Sequence, residues 1–258
     1  MKSDVFFAIV LLKDPKSVSV PKMAEFVRTH WADAPSLTEL DADPVVSPEG
    51  SLLMPFMVNG EPAFLVVEDK PVPEEDLELA ILTAWYWPEA SQAAEEHRAF
   101  AMVVLPSAPA DPLEKTAIVT QLTAALAMTS QAVAVFWAKS NLIHEPEAFF
   151  NSAKHLGSGV YPIELWVGFH AEPEPDHTIT FFTRGMLNFG LPEIEVYNST
   201  RDLQFIYERV FNVAHFLFEH GPVIKDQETV GTNEDEQFVV TIGPSRFDAR
   251  IKTMQIDM

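Results

Sequence analysis

Residues 52–68 read LLMPFMVNGEPAFLVVE. Two apolar runs, Leu52–Val58 and Ala63–Glu68, flank Asn59-Gly60. Both turn residues tolerate the positive φ of a type I′ turn, so the stretch predicts a β-hairpin. Pro62 limits pairing just after the turn. Upstream, Val5–Leu12 is apolar on both faces and reads as a central strand. Pro21 opens a helix to about Trp31, with Met23, Phe26, Val27, His30 and Trp31 on one stripe. Residues 32–50, rich in acids and prolines, read as a loop. Downstream, Pro73 starts a second helix whose first turn holds Glu74, Glu75 and Asp76, where the helix dipole favours negative charge. Leu77, Ile81, Ala84 and Trp85 are its expected inner face, and Pro88 interrupts it. Arg98–Leu105 is the closing strand. Residues 4–105 thus run strand, helix, strand, strand, helix, strand, the split βαβ order of a ferredoxin-like unit.

The order recurs in residues 131–256. Ala132–Trp137 reads as a strand and residues 146–155 as a short helix, broken by Gly157-Ser158-Gly159. Strands Ile163–His170, Thr178–Arg184 and Glu193–Tyr197 follow. Ser199 reads as an N-cap, with Asp202 three positions on. The helix it opens presents Leu203, Ile206, Val210, Phe211, Ala214, Leu217 and Phe218, and Gly221-Pro222 ends it. Phe238–Ile242 and Ala249–Ile256 complete the series. Between the two series, Leu113–Met128 is an alanine-rich helix. The expected fold class is α+β: two tandem ferredoxin-like (βαββαβ) units with antiparallel sheets, residues 1–110 and 131–258, and a linking helix in residues 111–130.

A chain of 258 residues, 47% apolar, has ample material for a core. It has no cysteine, which excludes disulfides, thiolate nucleophiles and thiolate metal sites and suits the cytoplasm. The run Val5–Leu12 follows Asp4 and precedes no small-residue cleavage site, so it reads as a strand rather than a signal peptide. No apolar run approaches the roughly 18 residues of a membrane span. The net charge of −21 argues against nucleic acid and anionic membranes as partners. Its common meaning is solubility; its sharper meaning is an acidic face for a basic partner.

Catalytic motifs are absent from the sequence: no His-Glu-x-x-His, no Gly-x-Ser-x-Gly elbow, no phosphate loop and no dinucleotide fingerprint. No catalytic residue, metal or cofactor is therefore expected. His170 and His177 stand at the two ends of an expected hairpin, where facing imidazoles with Glu164 or Glu172 would make a weak metal site; solvated turn histidines are the commoner case. His215 and Glu219 share a helix face, and His97-Arg98 opens a strand. Glu193 and Glu195 alternate along a strand, a spacing that suits a general acid–base pair and more often marks a wet face. The most distinctive piece runs from Arg184 to Gly190, a cation, two glycines and apolar residues between strands. It reads as a bulged turn or a recognition loop. The candidate binding residues are Arg184, Gly185, Phe189, Gly190, Glu193 and Glu195.

Extended over Thr183–Val196, that piece resembles the signature of the bacterial domain-of-unknown-function family 4261. Val72-Pro73 with the acidic helix, His97 before a strand, and Ala132–Trp137 with Glu147-Ala148-Phe149 resemble it as well. The resemblance implies a cytoplasmic bacterial protein and no activity. Families of this kind are often suspected as immunity or accessory proteins of secreted toxin systems. The expected function is non-enzymatic binding of another protein, most concretely an immunity protein that neutralises a basic toxin. The alternative is a small-molecule enzyme or sensor with a pocket between sheet and helices.

Overall fold

A computed structural model describes residues 8–48, 50–107, 109, 111–233 and 236–258. The chain divides into two compact units, Met1–Leu165 and Trp166–Met258. In the first, the described elements are β1 (Ile9–Leu12), α1 (Val20–His30), β2 (Leu37–Glu39), β3 (Val45–Val46), β4 (Leu52–Val58), β5 (Glu61–Glu68), α2 (Glu74–Leu82), α3 (Ala90–Glu96), β6 (Ala99–Val104), α4 (Pro112–Thr129), β7 (Ala132–Trp137), β8 (Leu142–His144) and α5 (Pro146–Ala153). Of the expected first strand, Val5–Phe7 lie outside the described residues.

The hairpin forms as expected, with Asn59 at φ 51° and Gly60 at φ 81°. β5 starts earlier than predicted, because Pro62 pairs with Met57 next to the turn-flanking pair Val58 and Glu61. Hydrogen-bonded and non-hydrogen-bonded pairs alternate, so Met57–Pro62 is a pair that exchanges no N–H. The missing N–H of Pro62 faces the neighbouring strand instead, beyond the last β6 pair at Phe64–Val104. Pro55 likewise falls between the stretches of β4 that β2 and β3 cover. Gly60→Val is expected to cost about 1–2 kcal/mol, the strain of a β-branched residue in left-handed backbone; an unchanged urea midpoint would count against the turn assignment.

The first sheet has eight strands in the order β2-β4-β5-β6-β1-β7-β8, with β3 also on β4, and all its pairs are antiparallel. β1 is central, flanked by β6 and β7, which its unbroken apolar run requires. Ile9 and Leu11 join Ala134 and Phe136 in a core with Leu77 and Ala80 of α2 and Ala90 and Ala94 of α3. Val10, Leu12, Val135 and Trp137 alternate to the other face, where Trp137 meets Phe149 of α5. Trp31, just past α1, donates its indole N–H to the Ala153 carbonyl.

Two expectations change here. The first concerns topology. A split βαβ unit runs the two strands joined by a helix parallel with one strand between them. β1 and β4, joined through α1, are instead antiparallel and separated by β5 and β6. The second concerns residues 111–137. β7 does not open the second unit; it pairs with β1. α4 is not a linker but a core helix of the first unit, buried from Ile118 to Ala127. No charged residue follows Lys115 in α4, so the helix has no face that demands water.

The second unit holds β9 (Gly168–Pro173), β10 (Ile179–Arg184), β11 (Ile194–Ser199), α6 (Leu203–His220), β12 (Thr229–Asn233), β13 (Glu236–Pro244) and β14 (Lys252–Ile256). Residues Ile163–Leu165, expected to begin a strand, form a short 3-10 turn that belongs to the first unit. The sheet is mixed, in the order β12-β13-β14-β11-β10-β9, and β11 and β14 are its parallel pair. This is a meander, a helix and a second meander, again without the ferredoxin-like order. The architecture is α+β with six α-helices and two sheets among the described residues.

α6 buries Ile206, Val210, Ala214, Leu217 and Phe218. Its N-cap is Asp202 rather than Ser199: the Asp202 carboxylate accepts from the amides of Gln204 and Phe205. Ser199 ends β11 and donates to the Met258 carbonyl. Gly221, at φ 77°, closes the helix with its N–H on Leu217.

Candidate functional site

The stretch Thr183–Val196 forms a strand end, a tight turn and the start of the next strand. β10 ends at Arg184. Gly185 then takes φ 123°, a conformation that strains any side chain, and lets Met186–Phe189 coil into one 3-10 turn. Gly190 closes it in left-handed backbone, and the Leu191 N–H returns to the Met186 carbonyl.

The turn is clamped from inside by Glu193. Its Oε1 accepts from the amides of Gly185 at 2.8 Å and Leu187 at 3.2 Å, and its Oε2 from the Thr183 hydroxyl at 2.8 Å. The Thr183 oxygen in turn accepts the Ile194 N–H at 2.8 Å. Glu193 is buried, and a buried carboxylate is tolerated only when hydrogen bonds replace its water.

Glu195 is held separately. It accepts from the hydroxyls of Ser245 at 2.5 Å, Thr253 at 2.8 Å and Tyr197. Ser245 also accepts the amides of Phe247 and Asp248, and the Tyr197 oxygen accepts the Arg246 N–H. The Arg246 guanidinium lies 4.2 Å above the Tyr197 ring. Burial, then the adjoining Glu195, push the Tyr197 phenol up to about 12. Glu195 therefore organises the chain from Ser245 to Asp248 against β11. The two carboxylates share no hydrogen-bond partner, so the acid–base pair suggested by their spacing is not assembled.

Of the six candidate residues, Gly185, Glu193 and Glu195 are buried in this scaffold, while Arg184 and Gly190 are exposed. Phe189 is partly buried, with its ring 5.6 Å from Trp166 and 4.8 Å from Phe218. Leu187, not singled out from the sequence, points its side chain outward. Thr183 lay within the quoted segment. Ser245 and Thr253 lie 50 and 58 residues from Glu195, and no local pattern points to them.

The histidine candidates scatter. His170 lies opposite Phe182 and stacks on it, whereas His177 sits in the turn at φ 67° with its N–H on Glu174. Burial first, and Arg184 second, hold His170 down at about 4. Among the described residues no group of three histidine or acidic side chains is placed to hold a metal ion. His97 is an internal staple: its Nε2 accepts the Val72 N–H at 2.9 Å and its Nδ1 bonds the Ala94 carbonyl. Arg98 donates to the carbonyls of Glu95 and His97. His215 and Glu219 form the surface pair their spacing implies, at 3.5 Å.

No described helix is long and apolar enough to cross a membrane. No curated protein and no solved structure matches the chain. The family match covers β11 to β14 with the end of β10, and none of the first unit, so the upstream resemblances lie outside it. Residues 182–257, which contain the clamped turn and both buried carboxylates, carry a domain of the family described as "Domain of unknown function (DUF4261)".

Proposed function

We propose that the protein acts by binding another protein, without turnover of its own, and that Arg184–Gly190 is a recognition element. The observation that carries this reading is the use of Glu193. A buried carboxylate spends its acceptors on holding one turn rigid, and that turn presents Arg184 and Leu187 to solvent. Rigid presentation lowers the entropy lost on binding. Glu195 is likewise occupied by three hydroxyls, which leaves neither acid free for proton transfer. With a net charge of −21, a basic partner is favoured, and neutralisation of a basic secreted toxin in the cytoplasm is the most concrete form.

Association with a basic toxin encoded by a neighbouring gene is expected to slow steeply as salt passes about 0.1 M, while dissociation changes less. Leu187→Asp is expected to speed dissociation about tenfold or more. A salt-indifferent association rate in stopped flow removes the electrostatic argument, and turnover of a small substrate by the purified protein moves the answer to the enzyme class.

The enzyme or sensor reading draws on a cavity of about 470 Å³ in the second unit, lined by Phe216, Val223, Val230, Phe238 and Met258. The size suits a small ligand. Its charged groups are already engaged, however: Arg209 with Glu236, and Glu228 with the Lys225 N–H. Protein binding is therefore preferred.

A further inference from the structure

α2 and the turn after it carry the largest departure from ordinary burial in the first unit. Leu77, Ala80 and Ala84 face the core, but Leu82 is 74% and Trp85 71% exposed, with Leu79 and Tyr86 each 43% exposed. Trp85 was expected on the inner face. The helix ends at Leu82, and the chain turns before Trp85, which breaks the periodicity that would have carried it inward. Leu79 and Leu82 lie one turn apart on α2, and Trp85 follows in the turn just past its end. Exposing large apolar side chains forgoes the free energy of burying them, and a group of them in one short segment marks an interaction surface.

The patch is held in place. Trp85 stands edge-on to Tyr86, ring centres 5.9 Å apart. The Tyr86 hydroxyl donates to the Ile143 carbonyl at 2.9 Å, and its ring stacks on His144. The rim is acidic. Glu75 and Glu78 stand four residues before Leu79 and Leu82 and are exposed, as is Glu89. From Pro71 to Glu96 the chain has no Lys, Arg or His.

We propose that Leu79, Leu82, Trp85 and Tyr86 form a docking surface for a basic protein segment that presents apolar side chains between lysines or arginines. Charge selects this occupant. A second copy of the chain, packed about a twofold axis, would set the same acidic rim against itself. An anionic membrane would be repelled by it. A basic segment satisfies both parts: its apolar side chains cover Leu82 and Trp85, and its cations meet Glu75, Glu78 and Glu89. The inference goes beyond the Arg184–Gly190 reading: it uses a surface in the first unit, outside the family-matched stretch, so the two stand or fall separately.

The test uses the full chain and two synthetic amphipathic peptides of equal length, one of Leu and Lys, the other of Leu and Glu. Titration followed by tryptophan emission is expected to show a blue shift with the Leu/Lys peptide, weakened by salt, and no binding of the Leu/Glu peptide. Joint replacement Leu82→Ser and Trp85→Ala is expected to weaken the Leu/Lys complex about tenfold or more, read by calorimetry because the reporter is removed. Both residues are exposed, so the variant keeps its core. Equal binding by the variant, or no binding by the wild type, overturns the proposal. So does a wild-type dimer in sedimentation that the variant abolishes, because a second copy would then be the occupant. Failure here leaves the Arg184–Gly190 reading standing, and enzymatic turnover would remove that reading without touching this result.

Discussion

Replacing Glu193 by alanine is expected to destabilise the second unit by about 3–5 kcal/mol. The change removes the acceptor for the Thr183 hydroxyl and the Gly185 amide, both in buried hydrogen bonds, and for the part-buried Leu187 amide. A buried donor without a partner costs about 1–3 kcal/mol, and water reaches Leu187 more easily than the other two. Urea unfolding measures the loss, and hydrogen exchange at the Gly185 and Leu187 amides locates it. Arg184→Ala, one residue before the turn and exposed, should change stability by no more than about 0.5 kcal/mol. If Glu193→Ala also fell in that range while the Gly185 amide stayed protected, the carboxylate would not be the clamp.

The second large effect is acid sensitivity of the first unit. His144, 7% exposed, bonds the Leu165 backbone through one ring nitrogen, while its buried Nε2 has no partner. Burial holds its pKa down at about 4. In the unfolded chain the same imidazole takes up a proton near pH 6.5. Between those values the unfolded state binds more protons, so stability falls as pH falls. The loss should reach about 3 kcal/mol by pH 4. Stability measured at intervals from pH 7.5 to 4 should show this slope in the wild type, and His144→Leu should flatten it, whatever its stability at pH 7.5. An equal slope in the variant would assign the effect elsewhere in the unit. His170, also held at about 4, gives the second unit a slope of the same sign.

Glu193 and Glu195 illustrate why the site was only partly legible. Glu193, Glu195 and the Arg184–Gly190 turn stood out as residue types and spacings, and the glycines do adopt positive φ. What the acids do was hidden. Their alternation predicts a shared direction, but Glu195 finds Thr253 on β14 and Ser245 just past β13, partners that no window around residue 195 contains. Trp85 failed in the opposite sense, because helical periodicity holds only while the helix continues, and α2 stops three residues before it.

By itself the sequence determined what is local: the Asn59-Gly60 hairpin, the acid-first start of α2, the glycine end of α6, the central character of the first strand and the turn between Gly185 and Gly190. Each follows from backbone chemistry within a few residues or from an unbroken apolar run. Only the tertiary structure decided that β7 pairs with β1 and ends the resemblance to a twofold repeat, that α4 is a core helix and not a linker, and that the two glutamates serve separate networks. Strand pairing and helix burial are set by contacts between residues far apart in the chain, and the same element order is compatible with several strand orders until those contacts form.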